Sequence, residues 1–324
     1  MKLLVTGGCG FIGSAFLRLL RRERPDWSLV NFDKLTYAGH PSTVAAIADD
    51  PHHQLVQGDI ADAAAVESVF REGIDAVVHF AAESHVDRSI DAPAVFVRTN
   101  VLGTQVLLDA ARRHGVHRFV QVSTDEVYGS LGADGRFTED SPIQPSSPYS
   151  ASKASGDLLA LAWHHTFGLP VSVTRCSNNL GPFQFPEKLI PVMVSRALRD
   201  QPLPVYGTGL NVRDWIHVDD HARAVLAVLE IGASGRVYNI GADNERSNLD
   251  IVRAILGLLG KAESLIQFIS DRPGHDFRYA IDASRARAEL GWSPRLAPAA
   301  ALEATVRWYV DNEPWVRMME SRTR

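Results

Sequence analysis

"KLLVTGGCGFIGSAFLRLL", Lys2 to Leu20, decides the fold. Leu3–Thr6 reads as a short buried strand, and Phe11–Arg22 repeats its apolar residues with the period of a helix. Between them Gly7, Gly10 and Gly13 stand three apart, and Gly8-x-Gly10-x-x-Gly13 makes a second, overlapping pattern. Glycines alone are explained by a plain turn. Placed after a strand and before a helix, they let the backbone close on a pyrophosphate, with the helix N-terminus facing its charge. The chain therefore opens as a dinucleotide-binding unit.

The pattern continues outward. Leu29–Phe32, Gln54–Val56, Ala76–Phe80, Phe119–Ser123 and Val171–Arg175 read as further strands, with helical periods such as Val95–His114 between them. This alternation predicts an α/β fold with a doubly wound parallel sheet (a Rossmann architecture), helices covering both faces. After Ser177 the texture changes. "NNLGPFQFPEKLIP" and "RDQPLPVYGTGLN" are rich in Pro, Gly and aromatics and suggest a second region over the carboxyl ends of the strands. We expect a cofactor domain over 1–177, with a return segment at about 212–236. A smaller mixed α/β substrate domain takes 178–211 and 237–324. "WIHVDDHARAVLAVLE" reads as that return, a strand and then a helix capped by Asp219 or Asp220.

Composition narrows the function. The chain has 324 residues and a formal net charge of -5, and its longest basic run is Arg21-Arg22, which argues against a nucleic-acid partner. No apolar stretch reaches the roughly 18 residues that span a bilayer. "MKLLVTGG" runs straight into the Gly turn and does not read as a signal peptide. Cys9 and Cys176 offer neither a disulfide framework nor a zinc set, and suit a reducing cytoplasm. The 12 histidines, including His52-His53 and His164-His165, match no metal spacing, so no metal is expected.

Two constellations carry chemistry. Asp33 ends the second strand, 20 residues after Gly13, where an acid accepts the ribose hydroxyls and repels a 2′-phosphate; this favours NAD over NADP. Asp59 in "GDI" ends the third strand and faces either the adenine edge or simply a turn. "YSASK" sets Tyr149 and Lys153 at i, i+4, one face of a helix. A tyrosine of ordinary pKa about 10 must fall about three units to act as a base at neutral pH. A lysine ammonium and an oxidised nicotinamide, both positive, can lower it. "STDEVYG" puts Thr124, Asp125 and Glu126 at the end of a buried strand. One acid there is explained by a turn or cap. A pair is surplus for simple oxidation, but elimination of water beside a ketone needs both a base and an acid. Like charges in a water-poor site raise one pKa and keep that group protonated.

The chain resembles the extended short-chain dehydrogenase/reductases and, within them, the dTDP-glucose 4,6-dehydratase family. The resemblance runs nearly end to end, through "VTGGCGFIGS", "HFAAESHVDRSI", "STDEVYG", "YSASK", "RCSNNLGP", "FPEKLIP", "VYGTGLNVRDWIHVDDH" and "DRPGHDFRYAID". It implies an NAD-dependent hydro-lyase acting on dTDP-glucose in deoxysugar (for example rhamnose) biosynthesis. Tyr149 would deprotonate the C4 hydroxyl, and Glu126 would take the C5 proton. Asp125 would protonate the departing C6 hydroxyl, Thr124 would bond the C4 oxygen and Lys153 would hold the cofactor ribose. Cofactor contacts carried over are Gly7, Gly10, Phe11, Ile12, Gly13, Asp33, Lys34, Thr36, Asp59, Ile60, Ala81, Ala82, Ser84, Thr99, Tyr149, Lys153 and Asn179. Substrate contacts are Ser84, Thr124, Asn178, Glu187, Lys188, Leu189, Pro204, Tyr206, Arg213, Asn248, Arg272 and His275. Arg213 and Arg272 are matched to the diphosphate.

One departure is Leu180, where the family's "SNNYGP" carries an aromatic; we expect it to alter hydrogen bonding near the nicotinamide. A homodimer is also implied, through a four-helix bundle built from Ala94–Arg113 and Ser147–Thr166, with Ala151, Ala154, Leu158, Ala162 and Trp163 against the partner. A 4-epimerase or decarboxylase on the same fold, and a non-catalytic NAD-binding protein, stay open at this stage. Thymine and uracil are both open as the base.

Overall fold

A computed structural model describes residues 1–271 and 273–323. Six strands come early: β1 (Lys2–Thr6), β2 (Ser28–Asp33), β3 (His53–Gln57), β4 (Ala76–His79), β5 (Arg118–Thr124) and β6 (Val171–Cys176). Six more follow: β7 (Asn178–Leu180), β8 (Leu203–Tyr206), β9 (Val212–His217), β10 (Val237–Ile240), β11 (Glu245–Ser247) and β12 (Ile266–Ile269). Seven of them form one parallel sheet in the order β10-β6-β5-β4-β1-β2-β3. The strand order reverses between β1 and β4, and a crevice opens at the carboxyl ends of such a pair.

Each face of the sheet has its own apolar core. One unites Leu3, Val5, Phe16 and Leu20 with Val225 and Leu229 of the Val218–Ile231 helix. The other unites Leu4, Val77 and Phe119 with Leu107, Leu108 and Ala160. Both faces are covered, so β1 from Leu3 onward and all of β4 are buried, with Thr6 and His79 the polar residues at their carboxyl ends. The edge strand β3 is not, and its side chains stay largely exposed.

Two expectations are corrected. The sequence pattern predicts that Val212–His217 returns to the sheet, but β9 pairs instead with β7 and β11 in a separate three-stranded sheet. Only the helix after it returns, packing in the core beside Phe16. The seventh strand is Val237–Ile240, a stretch expected in the substrate domain, and it pairs with β6 from Val237↔Val173 to Ile240↔Cys176. Adjacency across roughly 60 residues of sequence is set by the packing of the helix between them, not by any local pattern. The cap of that helix is also neither Asp219 nor Asp220. His217 accepts from the Asp219 N–H at 3.2 Å, and Asp220 turns inward to accept from the N–H groups of Arg295 and Leu296.

Val95–His114 is not one continuous helix. Pro93–Phe96 and Thr104–Arg113 are separated by a wide π turn, Val97–Gly103. Asn100 in that turn is buried. Its carboxamide takes the Glu83 N–H and donates to the Glu83 carbonyl and to Ser152 Oγ, at 2.9, 3.0 and 2.9 Å. Three hydrogen bonds to one buried side chain reward the extra residue in the turn.

The second region, over the carboxyl ends of the strands, has its own core of Leu180, Ile190, Trp215, Ile255 and Tyr309.

Candidate active site

A cleft of about 340 Å³ runs along the switch point, from the Gly turn to the end of β5. At its cofactor end the Gly turn is a built cradle. Gly7 has φ +71°, and a Cβ there would lie 2.6 Å from the Ala81 amide nitrogen. A Cβ on Gly13 would lie 2.9 Å from the Gly8 Cα. The glycines thus let β1, β4 and the Phe11–Glu23 helix meet. No side chain among the described residues caps that helix, so its first N–H groups point into the crevice to meet an anion. Asp33 is 6% exposed. It accepts from the N–H groups of Cys9 and Leu35, both at 2.8 Å. Burial holds its carboxyl above the ordinary range, against the pull of those two donors. Asp59 caps the turn at Ala61 N–H and also pairs with Lys34 at 2.9 Å, so it serves the turn and still lines the cleft.

At the other end, β5 and the Pro148–Phe167 helix converge. A reciprocal Ser147/Ser150 capping box with Pro148 in the first turn starts the helix, and Gly168 in the left-handed region stops it. Tyr149 and Lys153 sit in its first two turns, both buried and both on the cleft. Thr124 ends β5 and caps the short 3-10 turn Asp125–Tyr128, accepting from the Glu126 N–H at 3.3 Å. That cap projects the two acids into the same space. Asp125 is 1% exposed, and its Oδ2 has no hydrogen-bond partner among the described residues. Burial, then the neighbouring Glu126 and Asp214, push its carboxyl far above the ordinary range, with Arg213 and Thr124 opposing. Glu126 beside it is only half-buried.

The expected lowering of the Tyr149 phenol is not met by the chain's own groups. Burial, then Glu126, Cys176 and Asp125, raise it well above 10, against the Thr124 hydrogen bond. The Lys153 ammonium donates to the Val122 carbonyl at 2.8 Å.

Known proteins share this arrangement of fold and sequence. The GDP-mannose 4,6 dehydratase family model matches residues 4–305. A dTDP-glucose 4,6-dehydratase of Streptomyces niveus is 53% identical over 99% of this chain and 96% of its own. A crystal structure of the enzyme of that name from Streptomyces venezuelae, with NAD bound, is 49% identical. It covers 98% of this chain and 100% of its own at a TM-score of 0.96. The chain belongs to the dTDP-glucose 4,6-dehydratase family. A Thermus thermophilus UDP-glucose 4-epimerase with NAD covers 96% of this chain and 100% of its own. It shares the fold at a TM-score of 0.90 but only 29% identity. The dehydratase and epimerase branches therefore share architecture, and the family was legible in the acid pair.

Within this dehydratase frame the cleft gathers all five proposed catalytic residues and every proposed cofactor contact. Of the substrate contacts it also gathers Ser84, Asn178, Glu187, Lys188 and Leu189. Glu187 is held from behind the lining: Tyr37 donates to it at 3.0 Å and Arg88 pairs with it at 3.3 Å, and neither of these lines the cleft. Lys188 donates to the Ser84 carbonyl at 2.8 Å. Pro204, Tyr206, Arg213, Asn248 and His275 do not line the cleft. Pro204 and Tyr206 lie on β8. Tyr206 is exposed at its end, reaching Asp87 at 3.3 Å and meeting His275 edge-on. Asn248 opens a helix, where its N–H bonds to the Asn211 carbonyl. Arg213 is 5% exposed, donates to the carbonyls of Val212 and Asp276, and lies over the Tyr279 ring. Arg272 falls outside the described residues.

Leu180 is buried. It lies in the second region's apolar core, 1% exposed, and not on the cleft.

Sequence reasoning missed Asn100, which holds the loop after β4, and Asp214, whose carboxylate bears on Asp125. Neither has a motif of its own. Asp214 sits inside the "NVRDWIH" stretch but reads there as an ordinary strand residue.

Proposed function

We propose that this chain converts dTDP-glucose to dTDP-4-keto-6-deoxyglucose and water, using NAD held in the cleft. The observation that carries this reading is the buried Asp125, one carboxyl oxygen without a partner among the described residues, beside half-buried Glu126 and in one cleft with Tyr149 and Lys153. The residues present fit NAD: the Gly7–Gly13 cradle takes the pyrophosphate, and Asp33 with Asp59 takes the adenosine half. NAD bound there would supply a hydride acceptor for C4 and a hydride donor for C6, and its positive ring, together with the Lys153 ammonium, would favour the Tyr149 phenolate.

The chain's own residues manage the protons. Tyr149 takes the C4 hydroxyl proton, steadied by the Thr124 hydroxyl. Glu126 takes the C5 proton once the neighbouring ketone has acidified it, and gives a proton back to C5 when hydride is returned to C6. Asp125, kept protonated by burial and by its acidic neighbours, donates to the C6 hydroxyl as water leaves. Tyr206 and His275 are proposed to meet the nucleotide, and Arg213, with Arg272 outside the described residues, to meet its diphosphate. The deciding experiment is product identity from purified protein and dTDP-glucose. A 4-keto-6-deoxy sugar supports the reading, whereas a 4-epimer or a decarboxylated sugar refutes it.

The dimer proposal keeps part of its surface. Ala151, Leu158 and Ala162 are exposed on the Pro148–Phe167 helix, as are Val95, Val97 and Leu102 on the segment that packs against it. Ala154 leaves the proposed interface, while Trp163 is half-buried. Ala154 packs inside with Val127, Tyr128 and Ile281, and Trp163 donates to Asp109. No helix among the described residues is long and apolar enough to cross a membrane. Both cysteines are free and buried, which suits the proposed cytoplasmic setting.

A further inference from the structure

Behind the active site lies a buried charged group that the mechanism above does not use. Asp157 is one helical turn beyond Lys153, as Tyr149 is one turn before it, and Asp157 is fully buried. Its Oδ2 accepts from Arg175 Nε at 3.0 Å, and Arg175, on β6, is itself 2% exposed. Arg175 also donates to the Tyr128 hydroxyl at 2.9 Å, and the Tyr128 hydroxyl donates in turn to Asn239 Oδ1 on β10 at 2.8 Å. The guanidinium is therefore fixed by three elements, and it fixes the carboxylate in turn.

Lys153 needs such a neighbour. Its ammonium is buried, and the protein bond given to it ends on a neutral carbonyl, Val122. Burial drives the ammonium toward its neutral form, and the first opposing influence is Asp157, followed by Cys176. The other titratable groups packed around it carry no negative charge at neutral pH. On its own helix, the Tyr149 phenol is held protonated. On β6, the Cys176 thiol is pushed up to about 12 by burial. On β4, burial and then Lys153 push His79 down to about 3. Burial lifts Asp157 as well, and Arg175 and Lys153, the cations that flank it, pull it back.

We propose that Asp157 is a positioning residue that keeps the Lys153 ammonium charged inside the protein, with Arg175 holding the carboxylate in place. This rests on the reading that Tyr149 and Lys153 form the C4 oxidation site. Without the carboxylate, Lys153 loses its proton at lower pH and can no longer favour the Tyr149 phenolate.

The test uses the NAD-loaded enzyme and two readouts. The chain has five lysines, so NMR of ¹⁵Nζ-labelled lysine can follow the titration of Lys153 directly. The pH profile of kcat is the second. In Asp157→Asn, Lys153 should titrate at lower pH than in wild type. The ratio of kcat at pH 9 to kcat at pH 7 should fall about tenfold, in the range that loss of a close opposite charge produces. Asp157→Glu should restore both. Should the single variant fail to fold around an unpaired guanidinium, Asp157→Asn with Arg175→Gln carries the same expectation. An unmoved Lys153 titration, with kcat lowered equally at every pH, would make the Asp157–Arg175 pair a purely structural bridge and overturn the proposal. Full turnover by Tyr149→Phe would sink the site reading instead, and the NMR titration would still decide the role of Asp157.

Discussion

Asp125 and Glu126 are chemically similar neighbours given different surroundings. The cap at Thr124 turns one into a dry pocket beside Asp214 and leaves the other half open to the cleft. An acid and a base can thus be made from two carboxyls. Asp125→Asn keeps the shape and loses the proton donor. Elimination should slow by about 10²–10⁴-fold, the usual worth of general acid catalysis, while solvent deuterium still enters C5 of recovered substrate. Glu126→Gln should suppress that exchange and leave some hydride transfer. Equal loss of exchange and elimination in both folded variants would show that the roles are not divided.

The same burial makes Asp125 a cost to the fold. Its folded pKa is raised, so above the unfolded value of about 4 the native state holds a proton that the unfolded state has released, and stability falls as pH rises. Asn carries no such proton. Asp125→Asn should therefore melt above wild type, with a gap that is small at about pH 4 and widens toward about pH 8. A gap independent of pH would mean that burial of the charge is not its cause.

At the scale of elements, the site depends on how closely β1, β4 and the first helix approach. Gly7 holds a left-handed backbone and leaves no room beneath Ala81. Gly7→Ala should cost at least about 1–2 kcal/mol from the backbone conformation alone, and more from the contact with Ala81. Thermal melting gives that loss. The cradle should fail with it: wild-type protein denatured after purification should release about one NAD per chain, and the variant much less. Stoichiometric NADP from wild type would contradict the role given to Asp33. The π turn at Val97–Gly103 belongs to the same scale. It breaks an expected helix in order to seat one asparagine, and the loop it seats carries Glu83 and Ser84 at the cleft.

At the scale of the whole molecule, several large apolar side chains left outside gather on neighbouring segments. Leu158, Val97 and Leu102 are each 44–55% exposed, and they fall on the two segments proposed for a four-helix interface. Large apolar side chains grouped in this way mark surfaces that associate. Light scattering at micromolar concentration should give twice the chain mass of 35.5 kDa. Leu158→Glu should shift the population toward monomer, and a wild-type monomer would remove the interface.

Short-range pattern carried a large share of this protein. Strand and helix periods, the Gly7–Gly13 spacing, the Tyr149–Lys153 pair at one helical turn and the adjacent acids are all read within a few residues. They were enough for the fold class, the cofactor and the family. Packing through space decided which strand completes the sheet: β10 lies beside β6 with the Val218–Ile231 helix between them in sequence packed against the first helix. It decided that Ala154 and Leu180 face apolar cores and that Arg213 is buried over the Tyr279 ring. It also separated Asp125 from Glu126, since protonation follows from burial and from charges such as Asp214, which lies about 90 residues away in the chain. Those outcomes depend on distances through space, and no local run of residues encodes them.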